Sequence, residues 1–336
     1  MVKWLARTIK ATIKKIARSA KVSNTDIKAE RVEIGHNAVL TDVTIKCKKL
    51  VIGDNASLKS CMLFSDGEIN LGDGIEIKER AIINAHLFVK IGARSLIDRD
   101  VTIGGMQNEK SSFKMGTDGV ILYHSYINAT NPVEIGNNVG IGGFCMIFTH
   151  SSWQNVLKGY PYRFASVKID DDVWLPWHVF VMPGVAIGKG STIGGGSVIT
   201  KDIPPRCLAM GVPAAIVHRL YPRSLNQKEK DKLFREILAD FVEYANGFLS
   251  EKVTLRAGAG IKLSSNRGTI FYKPKFNGKE KLNEDFLVSF RIAAGIRNKS
   301  NWLDLDSELY RNKSQIPLAT HLLRFIRRYG IRAKPF

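Results

Sequence analysis

From residue 169 onward the chain places an aliphatic residue at every sixth position: Ile169, Leu175, Val181, Ile187, Ile193 and Ile199. Four residues after each stands a small or β-branched one: Val173, Val179, Val185, Ser191, Ser197 and Ile203. A helix repeats every ~3.6 residues and a lone strand every ~2, so neither sustains a strict six-residue recurrence. A prism of short strands that turns at each corner does. Each hexad then supplies one face, and three hexads make one coil of about eighteen residues.

Markers of the same kind stand at Ile34, Ile52, Leu71, Ile91, Ile135, Ile169 and Ile187, with intervals of 18, 19 and 20 at the start and 18 at the end. The interval of 44 between Ile91 and Ile135 leaves an excess over two coils within residues 104–119. The interval of 34 between Ile135 and Ile169 exceeds one coil by sixteen residues. Because Ile141 and Ile147 keep the hexad, that insertion follows Ile147 and covers residues 151–166. Loops that interrupt a regular scaffold are where function concentrates.

The two ends read differently. In residues 1–22, Leu5, Ile9, Ile13, Ile16 and Ala20 fall three or four apart beside Trp4, with Lys or Arg on most other positions. This pattern predicts a basic amphipathic helix, suited to packing on another subunit or the coil base, to an anionic membrane surface, or to targeting. Beyond residue 220 the hexad is lost. A helix is expected over 226–245, alternating segments over 253–262 and 269–275, and a further helix over 317–329. The organisation expected is thus a basic helix (1–22), a β-helix (30–220) and an α+β accessory domain (221–336), mainly β in class.

Several segments together resemble the hexapeptide-repeat acyltransferases with a left-handed parallel β-helix. They are Ile169-Asp-Asp-Asp-Val-Trp-Leu, Met182-Pro-Gly-Val-Ala-Ile-Gly, Gly194-Gly-Gly-Ser-Val-Ile-Thr-Lys-Asp-Ile-Pro-Pro and Met210-Gly-Val-Pro-Ala. The resemblance is greatest to the galactoside and maltose O-acetyltransferase branch and its capsular or lipopolysaccharide relatives, and it covers residues 30–220. It implies the left hand, a homotrimer with sites between subunits, and transfer of an acetyl group from acetyl-CoA to a sugar or polysaccharide hydroxyl. An amino-sugar N-acetyltransferase is the alternative within the same fold.

Composition refines this picture. At 44% apolar and 24% charged, the 336 residues can build a sizeable core and are not disordered. No stretch approaches the ~18 apolar residues of a spanning helix, and the N-terminus lacks the apolar block of a secretory signal. A cytoplasmic protein, at most peripheral on the inner membrane face, is the expectation. Cys47, Cys61, Cys145 and Cys207 show no metal-type or disulfide spacing and read as packing residues of a reducing compartment.

The net charge of +19 is uneven. Residues 1–21 hold seven Lys/Arg and no acid, residues 221–336 hold 23 against 12, and the middle holds 20 against 19. The excess therefore serves attraction to an anionic surface or polymer and not the chemistry. No helix-turn-helix, zinc-finger or RNA-recognition signature accompanies it, so nucleic acid is not an expected partner.

Moving an acyl group from a thioester to an alcohol needs a base, donors for the oxyanion and a groove for the cofactor. Among the seven histidines, His150 stands three residues after the inward Ile147 and immediately before the insertion. It matches the family's catalytic histidine in position and suits a base near neutral pH. His178 also stands three residues after an inward residue, Leu175, but on a different corner; in a trimer it could still approach an acceptor.

Asn128 precedes the Ile135 marker where the family carries a polar substrate-binding or orienting residue. Trp153, Tyr160, Tyr162 and Arg163 of the insertion could stack on and hydrogen-bond a sugar, or merely pack the loop. The resemblance carries cofactor contacts onto Trp174, Gly195, Thr200 and Lys201. Two departures are Pro176-Trp177, at the thioester end of the expected groove, and His218 with Arg219 where relatives have a basic residue. A carbonic anhydrase of the same fold would need three histidines converging on zinc, a spacing this chain lacks, and no metal is expected.

Overall fold

The computed structural model describes residues 8–249, 252–258, 260–276, 284–292 and 301–335. The chain divides into two compact units, residues 1–223 and 224–336.

The first unit is a three-faced β-helix whose faces are parallel sheets of ten, nine and eleven strands, closed on the last by an antiparallel strand. One face runs from Thr8–Lys10 to Val198–Ile199, the next from Ile13–Ile16 to Ala186–Ile187, and the third from Lys21–Ser23 to Ala214–Arg219. We call these faces A, B and C. The hexad residues point inward: Ile169, Leu175, Val181, Ile187, Ile193 and Ile199 are all buried, as are Ile34, Ile52, Leu71, Ile91 and Ile135. Replacing one such isoleucine by alanine would cost about 2–5 kcal/mol.

Two of the three corners are turned by residues in the left-handed region. Between faces C and A, the column Arg80, Asp100, His124, Phe144 and His178 has φ from 57 to 61°. Between faces B and C, Asn37, Asn55, Arg94, Asp118, Asn138 and Asp172 do the same. The third corner, between A and B, takes both insertions, the loop after Thr102–Gly104 and the one after Met146–Ile147.

Residues 8–22 correct the expectation of a helix: they form strands Thr8–Lys10, Ile13–Ile16 and Lys21–Ser23. Ile9 pairs with Ile27, Ile16 with Ile34 and Val22 with Leu40, so this segment is the first coil. The open edge of the next coil offers a row of backbone donors and acceptors, and pairing with it outweighs the local helical stripe. Lys14 occupies the inward position that Val32 fills one coil later, and its Nζ donates to the Ile9 carbonyl at 2.6 Å. The apolar face on which membrane attachment rested is not formed over these residues; Trp4 and Leu5 lie outside the described residues. No described helix is long and apolar enough to cross a membrane.

In the second unit, among the described residues, a seven-stranded mixed sheet from Thr254–Ala257 to Lys334–Pro335 packs with the helices Gln227–Phe248 and Pro317–Phe325. Gln227–Phe248 starts on an Asn226–Glu229 capping box and buries Phe234, Leu238, Phe241 and Ala245 along one face. Pro317–Phe325 buries Leu318, Ala319, Leu322 and Phe325, followed by a 3-10 turn at Ile326–Tyr329.

Candidate active site

His150 stands on the corner between faces A and B, half-buried, where the chain leaves Met146–Ile147. The corner is locked beneath it. Thr149, fully buried, donates its hydroxyl to the Asn128 carbonyl at 2.8 Å and accepts from the Asn131 amide at 2.9 Å. Asn131 returns a bond from Nδ2 to the Thr149 carbonyl at 3.2 Å.

Asn128, 2% exposed, lies in the preceding coil at the end of Tyr126–Asn128. Its Oδ1 accepts from the Thr130 backbone N–H at 3.2 Å, which orients the side-chain amide, and Nδ2 donates to the Tyr126 hydroxyl at 3.3 Å. The same Oδ1 is 3.0 Å from His150 Nδ1. A carbonyl oxygen can only accept, so Nδ1 carries the proton and the Nε2 lone pair is left free. A β-carbon on Gly105 would fall 2.6 Å from Thr130 Oγ1 and 2.8 Å from Asn128 Nδ2, so only glycine leaves room for that amide.

The insertion forms an antiparallel pair, His150–Ser151 with Arg163–Phe164, around a 3-10 turn at Val156–Lys158. The Phe164 ring stacks against the imidazole with centroids 5.8 Å apart. Residues 151–164 are exposed throughout. Trp153 is 97% exposed; Tyr162, 64% exposed, meets the Phe164 ring of the same loop at 6.4 Å.

His178 sits on the corner between faces C and A, at the other end of face A from His150. Its ring stacks on Phe144 at 5.2 Å, and Phe144 stacks on His124 at 5.0 Å. The two histidines are therefore not adjacent within one chain. The outer side of face A between these corners carries Phe148 and Phe180, stacked at 5.2 Å, with Tyr126 5.5 Å from Phe148.

The expected cofactor residues also divide between the two corners. Trp174 lies on face C over Gly140, where any β-carbon would fall 2.4 Å from the indole; Trp177 meets Trp174 edge-on at 6.2 Å. Gly195 and Gly196 lie exposed beside them, tied by the Gly196 N–H to the Trp177 carbonyl at 3.0 Å. Thr200 and Lys201 follow Val198–Ile199 on the corner that holds His150, two coils on. Arg219 ends the strand Ala214–Arg219 against Cys207. Lys201 and Arg219 are exposed and make no ion pair among the described residues. Glycines that admit close approach and unpaired cations suit a polyanionic nucleotide with a pantetheine arm.

The thiols of Cys47, Cys61 and Cys145 are buried, and burial pushes them up to about 12, 12 and 11, so they are not nucleophiles. Among the described residues no three His, Cys, Asp or Glu side chains are grouped to hold a metal ion.

Over 172 residues the chain is 29% identical to the galactoside O-acetyltransferase of Escherichia coli K12, a match that covers 50% of this chain and 80% of that protein. Over 91 residues it is 40% identical to an acetyltransferase homologue of Schizosaccharomyces pombe. The chain is thus similar to hexapeptide-repeat acetyltransferases. The left-handed β-helix is the fold of this family.

The second match covers 26% of this acetyltransferase and 44% of the yeast protein, so the chain spans less than half of that relative. A hexapeptide-repeat acetyltransferase of Vibrio cholerae, solved in complex with acetyl-CoA, is 25% identical with a TM-score of 0.35, over 39% of this chain and 70% of that one. No protein-family model matches the chain.

Sequence reasoning missed several residues of the acetyltransferase's His150 corner: Thr130, Thr149, Phe164, Tyr126 and Gly105. Tyr126 was within reach, since it stands two residues before Asn128 and a strand alternates its faces. Thr149 and Gly105 meet Asn128 only across coils, Phe164 meets His150 across the hairpin, and Thr130 bonds Asn128 from two residues away through its backbone, which no side-chain pattern marks.

Proposed function

We propose that this acetyltransferase uses acetyl-CoA to acetylate a sugar or polysaccharide hydroxyl, with His150 as general base. The observation that carries the reading is the 3.0 Å contact between His150 Nδ1 and Asn128 Oδ1, which leaves Nε2 to accept a proton. As the acceptor oxygen attacks the thioester carbonyl, Nε2 takes the hydroxyl proton. When the carbon–sulfur bond breaks, the imidazolium returns that proton to the departing thiolate. Asn128 holds Nδ1–H throughout and so fixes the ring.

The cofactor role of Trp174, Trp177, Gly195, Thr200, Lys201 and Arg219 rests on the open glycine surface and the unpaired cations. The exposed Trp153, Tyr162 and Arg163 of the hairpin supply the aromatic faces and the donor that a sugar acceptor requires. His150 with Thr200 and Lys201 lies at one end of face A, and Trp174, Trp177 and His178 lie toward the other. This division favours a homotrimer in which neighbouring chains bring the two ends together.

The test is product analysis with acetyl-CoA and candidate glycans. An ester-linked acetyl group is expected, and an amide-linked one would overturn the O-transfer reading. His150→Ala should lower turnover by about a hundredfold or more with CoA affinity intact; retention of most activity would remove His150 from the reaction. A fully active monomer in light scattering would refute the trimer.

A further inference from the structure

The second unit contains a cavity of about 570 Å³ bounded by the strand Leu309–Arg311 and the helix Pro317–Phe325. That helix commits one face to the core through Leu318, Ala319, Leu322 and Phe325. Its other face turns His321 and Arg324 to the cavity, and Arg327 follows in the next turn. Among the described residues no Asp or Glu lines the space. Arg324 and Arg327 are exposed and make no ion pair among the described residues. Residues 309–335 contain seven Lys/Arg and no acid.

Part of the lining is held in place by hydrogen bonds. Asn312 Oδ1 accepts from the Ile316 N–H at 2.9 Å, and its Nδ2 donates to the Thr320 hydroxyl at 3.1 Å. Gln315, in the left-handed region at φ 50°, and Tyr310 line the cavity with an amide and a phenol. Two guanidinium forks, a histidine, an amide and an aromatic ring in one concavity are the groups that hold a sugar bearing a negative charge. The volume lies in the range of pockets that hold small ligands, ~300–1,000 Å³. A flat basic surface would suit a polymer backbone or a membrane; here the charge is concave.

We propose that this cavity is a binding site for an anionic sugar unit, one carrying a phosphate or a carboxylate. Its being the acceptor rests on the transferase reading above; the binding itself does not.

The test uses the full chain without cofactor, titrated by calorimetry and saturation-transfer NMR with glucose 1-phosphate, N-acetylneuraminic acid and neutral maltose. Binding of one or both anions without maltose is expected, and the arm that binds identifies phosphate or carboxylate as the group held. Arg324→Gln/Arg327→Gln should weaken that binding by about tenfold or more. Arg324→Lys/Arg327→Lys, which keeps the charge and loses the fork, should fall between. Acetyl-CoA binding should be equal in all three proteins, and matching thermal unfolding profiles report that the variants fold. Equal binding of maltose, anion binding that survives Arg324→Gln/Arg327→Gln, or binding of duplex DNA or anionic vesicles but of neither sugar would overturn the proposal. If acetyl-CoA fails to bind the unmodified protein while the sugar still does, the transferase reading falls and the cavity stands.

Discussion

The Asn128 side-chain carbonyl is shared between the Thr130 backbone N–H at 3.2 Å and His150 Nδ1 at 3.0 Å. The first bond settles which end of the amide faces the imidazole, and the second settles which nitrogen of the imidazole carries the proton. One buried amide therefore ties together the corners of two successive coils and, in the neutral ring, favours the tautomer whose lone pair is on Nε2.

Asn128→Ala removes that acceptor and lets the imidazole populate both tautomers. Turnover should fall about ten- to hundredfold while the KM for acetyl-CoA stays unchanged. Nitrogen NMR of His150 should report the mixed tautomer. An unaltered tautomer with unaltered turnover would show that Asn128 does not position the ring.

Gly140→Ala places a β-carbon 2.4 Å from the Trp174 ring, which must tilt away. If Trp174 lines the cofactor groove, the KM for acetyl-CoA should rise several-fold with the turnover number little changed. An unchanged KM, with fluorescence showing that the indole has moved, would take Trp174 out of the groove.

Lys14→Leu completes the inward apolar row of the first described coil, over Val32, where an inward charge would discourage another strand edge from docking. Natural sheets use inward charges for that purpose. Greater self-association in light scattering, with activity per chain retained, is the expected result. A variant as monodisperse as the parent would show that Lys14 does not guard the edge.

The buried thiols make stability depend on pH in the alkaline range. Burial raises Cys61 from an ordinary 9.0 to about 12, so the folded chain holds this proton where the unfolded chain has lost it. Stability attributable to the thiol is constant below about pH 9 and declines as the pH rises from there toward 12. Urea midpoints of the parent and of Cys61→Ala should therefore diverge in slope above about pH 9. Parallel slopes would show that the thiol ionises equally in both states.

Much of the first unit was legible in the chain because a strand's inward and outward positions are a local property. An inward residue of a β-helix must be apolar in every coil, so the hexad from Ile169 to Ile199 declares the faces without knowledge of their partners. The corner position of His150 was legible for a related reason: it follows Ile147 by three residues and precedes a break in the repeat, and both facts lie within a few residues of it. The helices at Gln227–Phe248 and Pro317–Phe325 likewise carry their own apolar stripe.

Tertiary structure alone decided matters in which the partner is remote in sequence. Ile9, Ile13 and Ile16 fit a helical stripe, yet Ile9 and Ile16 also stand eighteen residues before Ile27 and Ile34. The choice fell to the hydrogen-bonding edge of the next coil, which no local window contains. His150 meets an amide 22 residues earlier and a Phe164 ring across a hairpin. His178 is carried by a left-handed corner into a stack with Phe144, at the opposite end of face A. Arg324 and Arg327 are ordinary surface charges in the sequence; the folding of Leu309–Arg311 beside their helix makes them the wall of a cavity. Periodicity reports which side of its own backbone a residue takes, and only the stacking of coils and sheets brings distant residues to the same corner.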